Sequence, residues 1–246
     1  MMILTTCGLI VVCYISGLIN RQHKIIYLKH KAHFTVLLTK GKRMKLDVPV
    51  IGIIRGVDIS LFRDIMDTSF ASGLQAIEIT MNTEHALQTV SSLRPDVPAG
   101  KLLGMGTVRN IEEAKKAVEA GTMFIVTPNT DAGVIEFARS QSVPVISGAF
   151  TPTEVYTAWS AGAEMIKVFP CGQLGPHYIR ELRGPYEQIP LVAVGGVTLD
   201  NIREYFAAGA RAVGASTALF GRKALSERNL DEVAQNVNKF IALCPD

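Results

Sequence analysis

From residue 48 onward, two patterns alternate along the chain. Short apolar runs rich in β-branched residues are separated by longer amphipathic segments. The runs are VPVIGIIRG (48–56), LQAIEITMN (74–82), KLLGMGTV (101–108), MFIVTPN (123–129), VPVISGAF (143–150), EMIKVFP (164–170), LVAVGGV (191–197) and RAVGAST (211–217). They recur every ~20 to 28 residues, the spacing of βα units. The segments between them read as helices. Asp58 to Ser72 carries Leu61, Ile65 and Met66 at helical spacing. Asn110 to Ala120 has Asn110 as a cap, Glu112 and Glu113 in its first turn, and Gly121 as a stop. Asp131 to Ser140, Thr153 to Ala161 and Asp200 to Ala208 repeat the design, with Thr153 expected as a cap and Gly162 as a stop. Strands that read as continuous apolar runs are buried on both faces, as in parallel sheets. Eight such units predict an α/β fold, a (β/α)8 TIM barrel with a parallel eight-stranded sheet. A doubly wound open sheet is the alternative, but it usually has fewer strands and a Gly-rich first turn.

Residues 1–43 break this pattern. Met1 to Asn20 is apolar and uncharged, and Arg21, Lys24, Lys29 and Lys31 follow. Such a stretch is long enough to span a bilayer, with the basic residues and the body staying in the cytoplasm. The competing expectation is that the domain starts at Met44, in MKLDVPVIGIIRG, and that 1–43 is upstream sequence without a role. The expected division is therefore 1–43 as extension and 44–246 as the functional barrel, with membrane attachment only if residues 1–20 form an anchor.

Composition adds three limits. With 48% hydrophobic and 19% charged residues among 246, the chain can bury a sizeable core. The net charge of +3 comes from the extension, which holds seven Lys or Arg and no acid; the body keeps 18 basic and 22 acidic residues. That mildly acidic body argues against nucleic-acid binding. Cys7, Cys13, Cys171 and Cys244 have no CxxC spacing, which fits a reducing, cytoplasmic setting. Only His85 and His177 occur in the body, neither in ligand spacing, so no metal is expected.

In a barrel, function gathers where strands end. The polar residues late in each run are Arg55, Glu78, Asn82, Thr107, Thr127, Asn129, Ser147, Lys167, Gly195, Gly196 and Ser216. Lys167 and Glu78 each interrupt an apolar strand, and alternation would let both point inward. An ammonium buried among apolar groups escapes the cost by a lowered pKa, and a neutral amine is a nucleophile toward ketones. Glu78 would move protons beside it. The plain alternative is a buried ion pair without chemistry, a poor route to stability. Gly195-Gly196 and Gly214-Ala215-Ser216 lie after strands seven and eight, where barrels commonly hold phosphate. Arg55 is either a solvated rim residue or a clamp on a carboxylate or phosphate. Thr107 either binds a carboxylate or caps the next helix.

EITMN with Glu78, GMGTV with Thr107, VTPN with Pro128, IKVFP with Lys167 and VAVGGV with Gly195-Gly196 together resemble the KDPG/KHG aldolases, over about residues 46 to 243. The resemblance implies a class I aldolase on a trimeric barrel, acting on 2-keto-3-deoxy-6-phosphogluconate and related 2-keto acids without a cofactor. It implies Lys167 as the Schiff-base lysine and Glu78 as the general acid/base. Thr107, Pro128 and Phe169 would shape the pyruvate end, and Gly195, Gly196, Gly214, Ala215 and Ser216 would hold the phosphate. Gluconate-type members commonly have arginine where this chain has Asn82. The 6-phosphogalactonate-type members resemble it better, with asparagine there and an FGPQYIK-like stretch matching LGPHYIR (174–180). Arg55 is then expected to take over an anion-binding role. The expected reaction gives pyruvate and glyceraldehyde 3-phosphate, or pyruvate and glyoxylate from 4-hydroxy-2-oxoglutarate. Two rivals share the glycine loops: a phosphate-binding isomerase or epimerase without an imine, and a sugar-phosphate binding protein without turnover.

Overall fold

The computed structural model describes residues 44–245 and, before them, the backbone of three strands. Those three, Ile10–Val11, Ile26–His30 and His33–Leu37, form an antiparallel sheet in that order. Contacts divide the chain into two compact units, 1–43 and 44–246. The proposed anchor at residues 1–20 lies outside the described residues apart from Ile10–Val11. No helix among the described residues is long and apolar enough to cross a membrane.

The second unit is a closed, all-parallel barrel of eight strands. The strands are β1 (Val50–Ile54), β2 (Ala76–Thr80), β3 (Leu102–Gly106), β4 (Ile125–Val126), β5 (Val145–Ala149), β6 (Met165–Val168), β7 (Leu191–Val194) and β8 (Ala212–Ala215). Each pairs with the next in sequence, and β8 returns to β1. The helices that alternate with them are α1 (Ile59–Ala71), α2 (Ala86–Leu93), α3 (Ile111–Glu119), α4 (Ala132–Ser140), α5 (Pro152–Ala161), α6 (Gly175–Arg183) and α7 (Ile202–Ala207). After β8 come α8 (Thr217–Phe220), α9 (Arg222–Ser226) and α10 (Leu230–Ile241), the last packed on α1.

Strand alternation sorts the apolar residues into two cores. Ile51, Ala76, Phe124, Val126, Ile146, Met165, Val192, Val194 and Ala212 fill the barrel. The larger core lies between sheet and helices and takes the alternate residues, such as Ile77, Ile79, Ile166 and Val168. Leu46 joins the inner core ahead of β1. Its segment is held by Gln75, whose Oε1 accepts from the N–H of Asp47 at 2.7 Å and of Val48 at 3.2 Å. The N-terminal end of the barrel is therefore closed, and the strands' C-terminal ends are left for chemistry.

Side-chain caps mark half of the helix starts among the described residues. Asp58, Asn110 and Asp131 accept from backbone N–H groups of their first turns. The start of α5 corrects the expectation of a cap at Thr153. Thr151 is the cap, paired with Glu154 in a capping box with Pro152 at the first turn. Proline is well placed where no intrahelical N–H is required, so the helix starts two residues earlier.

Candidate active site

Alternation settles where Glu78 and Lys167 point. On β2, Ala76 belongs to the inner core and Ile77 and Ile79 to the outer one, so Glu78 faces inward. The same reading of Met165, Ile166 and Val168 turns Lys167 inward. Glu78 is 1% exposed and Lys167 6%. In register, Lys167 has Gly148 on β5 and Val192 on β7, while Glu78 has Ile53 on β1 and Gly104 on β3. Neither charge has a charged partner on an adjacent strand at its own level. Among the described residues, Oε2 of Glu78 has no hydrogen-bond partner. Burial pushes the Glu78 carboxyl up to about 7, against the opposing pull of Lys167 and Arg55. Burial also lowers the Lys167 ammonium pKa; Glu78 raises it and Arg55 lowers it further. Desolvation thus favours the neutral form of both groups. Nζ of Lys167 stands 4.6 Å from the centroid of the Phe169 ring.

Arg55 is exposed just past β1, and its Nη2 lies 3.5 Å from Oγ1 of Thr107, just past β3. The two flank β2, the strand of Glu78. Thr107 sits in the left-handed region at φ +56°. Asn82 is exposed beyond β2, and Pro128 is half-buried beyond β4. Thr127 is occupied in shaping that loop: its hydroxyl donates to the carbonyl of Asn129 at 2.6 Å and accepts the N–H of Gly148 at 2.9 Å. Ser147 lies between inward Ile146 and Gly148, so it faces the helices and stands away from the barrel mouth.

The glycine loops are braced from behind. Gly195 and Gly196 follow β7 at φ +91° and +83°, where a side chain would be strained. The Cys171 thiol donates to the carbonyl of Gly195 at 3.1 Å, and Nδ2 of Asn201 donates to that of Gly196 at 2.9 Å. Oδ1 of Asn201 accepts the Thr198 N–H at 2.8 Å. A methyl on Gly196 would lie 2.7 Å from Cα of Gly172, so the loop after β6 packs on the loop after β7. Gly214 serves a different need. It faces Val194 and Ile53, and a methyl there would lie 3.0 Å from Val194. Ser216 is half-buried at the start of the short α8.

The chain matches the family described as KDPG and KHG aldolase over residues 41–236. It belongs to that family. Among curated relatives, a protein named "Probable 2-dehydro-3-deoxy-6-phosphogalactonate aldolase" from Rhizobium meliloti (strain 1021) is 32% identical, covering 71% of this chain and 83% of its own. The 2-dehydro-3-deoxy-6-phosphogalactonate aldolase of Escherichia coli (strain K12) is 31% identical, covering 78% and 95%. A solved structure described as native KDPGal is 29% identical at a TM-score of 0.76, covering 82% of this chain and 97% of that one. Aldolases of this family are lyases.

Several residues around this site escape sequence reasoning. Gly106 is one: a methyl there would lie 2.4 Å from Oε1 of Glu78, so the glycine makes room for the carboxylate. Gly148 is another, since its Cβ would meet the carbonyl oxygen of Pro128 at 2.5 Å. Thr83, which accepts the Gly56 N–H, and Cys171, which donates to the Gly195 carbonyl, tie one loop to another, while Asn201 braces the loop after β7 from within. The sequence signals for Gly106 are its place late in the apolar run 101–108 and its membership of GMGTV, and neither says that it faces Glu78.

Proposed function

We propose that the chain is a Schiff-base (class I) aldolase cleaving 2-keto-3-deoxy-6-phospho sugar acids of the phosphogalactonate or phosphogluconate type. The observation that carries this is Lys167: a buried, inward-facing amine with a lowered pKa, beside a carboxyl held near 7. Neutral Lys167 attacks the C2 ketone; the carbinolamine hydroxyl takes a proton, from the Glu78 carboxyl or from solvent, and leaves as water, and an iminium forms. Glu78, directly or through a water, takes the C4 hydroxyl proton. The C3–C4 bond breaks, its electrons pass to the iminium, and glyceraldehyde 3-phosphate leaves. The resulting enamine is protonated at C3, and water hydrolyses the iminium to release pyruvate and the free amine. The same steps cleave 4-hydroxy-2-oxoglutarate to pyruvate and glyoxylate.

Arg55 and Thr107, joined across β2, suit an anionic end of the substrate. The braced glycine loops suit the phosphate. Exposed Asn82 and the names of two relatives support the phosphogalactonate acid as the first substrate to assay. We assign all of this to residues 44–246, with no catalytic role for 1–43. A charged sugar-acid substrate fits a cytoplasmic body. A homotrimer fits the exposed apolar residues of one flank, Phe150, Tyr156 and Leu174.

Borohydride reduction in the presence of pyruvate, followed by peptide mapping, tests the reading. A pyruvyl adduct on Lys167 is expected. An unmodified Lys167 alongside intact substrate binding would favour an isomerase or a binding protein. Rates on the two C4 epimers then fix the substrate.

A further inference from the structure

Arg55 sits on a turn that something must aim. The next residue, Gly56, has φ +66°, and its N–H donates to Oγ1 of Thr83 at 3.0 Å. Oγ1 of Thr83 lies 2.9 Å from Oγ1 of Thr80. Both threonines are buried, at 5% and 1% exposure. A hydroxyl offers one proton and two lone pairs, so Thr83 can accept from Gly56 and still share a bond with Thr80. Thr80 is two residues beyond Glu78 and therefore on the same inward face of β2. The first turn after β1 is thus fastened to the strand of the acid/base. From that turn the Arg55 guanidinium reaches Thr107 beyond β3, passing over β2.

We propose that Thr83 is a positioning residue, which through Gly56 holds Arg55 over the Glu78–Lys167 pair and so sets the positive charge that both groups meet. The bearing of this arrangement on catalysis rests on the imine reading above. The charged groups concerned are few. Lys167 meets Glu78 from β2 and Arg55 from the first turn, while its neighbours in register, Gly148 and Val192, carry no charge. Glu78 meets Lys167 and Arg55, with Ile53 and Gly104 beside it. Arg55 lowers the proton affinity of both groups. Letting the guanidinium swing away should therefore raise both.

The test uses the ligand-free protein and does not need the aldol reaction. Reductive methylation with formaldehyde and cyanoborohydride, read at Lys167 by peptide mapping across pH, follows the free amine. Thr83→Val and Arg55→Ala should both move the midpoint to higher pH, and Thr83→Ser should restore it. In the Arg55→Ala background, Thr83→Val should add no further shift. The proposal is overturned if Thr83→Val leaves the midpoint where it was, or shifts it equally with Arg55 absent. If the valine variant fails to fold, Thr83→Ala removes the same hydroxyl with less bulk and meets the same two outcomes. Borohydride trapping with pyruvate on the parent protein runs alongside. Its failure would remove the imine and leave the midpoint comparison standing.

Discussion

A methyl group placed on Gly106 would lie 2.4 Å from Oε1 of Glu78. Real carbon–oxygen contacts are never so close, so an alanine there must displace the carboxylate. The displaced atom is the far end of a flexible side chain, which can rotate away at modest cost to folding. Catalysis is less forgiving, because a misplacement of about 1 Å costs on the order of 10²-fold. Gly106→Ala should therefore keep its thermal midpoint within a few degrees and lose roughly 10²-fold in kcat. Calorimetry together with steady-state rates checks this, and an alanine enzyme of parental kcat would show that Glu78 is not held where the reaction needs it.

Glu78 also links stability to pH. Its folded pKa, about 7, is raised above its ordinary 4.5. Such a group contributes stability that is full below its unfolded pKa and lost as pH rises through the folded one. The loss between those values is on the order of 3 kcal/mol for one isolated group. Lys167 works in the opposite sense: its depressed pKa gives stability at high pH that fades as pH falls through the folded value. Lys167→Met leaves Glu78 without its largest downward pull, so the Glu78 transition should move above 7. Denaturant midpoints measured across pH for the parent and Lys167→Met report the move. Glu78→Gln should remove the transition.

The same pair predicts a split between binding and chemistry. Glu78 raises the Lys167 pKa, so Glu78→Gln should leave more free amine near neutral pH. Trapping of pyruvate by borohydride should then persist, while cleavage falls by about 10²- to 10⁴-fold, the usual worth of a general acid/base. Equal loss of trapping and cleavage would place Glu78 in imine formation instead.

Asn201 makes a prediction confined to the phosphate end. Asn201→Ala frees the Gly196 carbonyl and the Thr198 N–H together. The loop should then hold phosphate less well, raising KM for a phosphorylated keto acid by about tenfold, the worth of one or two lost hydrogen bonds. KM for 4-hydroxy-2-oxoglutarate, which carries no phosphate, should stay within about twofold. A uniform rise for both substrates would point to general disorder of the barrel mouth.

Assembly can be probed on the α5–α6 flank. Tyr156 is 55% exposed and Leu174 44%, and Tyr156 stacks on Tyr186 with ring centroids 6.0 Å apart. If this surface is buried between subunits, Tyr156→Asp combined with Leu174→Asp should convert a trimer to monomers in sedimentation. A trimer that survives both substitutions assembles through another face.

Much of the barrel is legible in the chain because its signals are local. Eight apolar runs at near-regular spacing require eight buried strands, whatever surrounds them. Lys167 and Glu78 stand out because a charge inside such a run is costly anywhere in a parallel sheet. The Asn110 cap can be read because its partner N–H lies three residues away. Thr153 misled because two threonines flank Pro152, and only the completed turn shows which one the helix takes.

What the chain alone determines, then, is the number of βα units and the presence of two charges that need a special environment. Only closure of the barrel decides the rest. Runs apolar on both faces do not declare which residues point inward; pairing β8 with β1 does. That same closure puts Gly106 against Glu78, Thr83 under Gly56 and Cys171 behind Gly195. These contacts join residues distant in sequence, and no local pattern carries a distance that only curvature and strand register create.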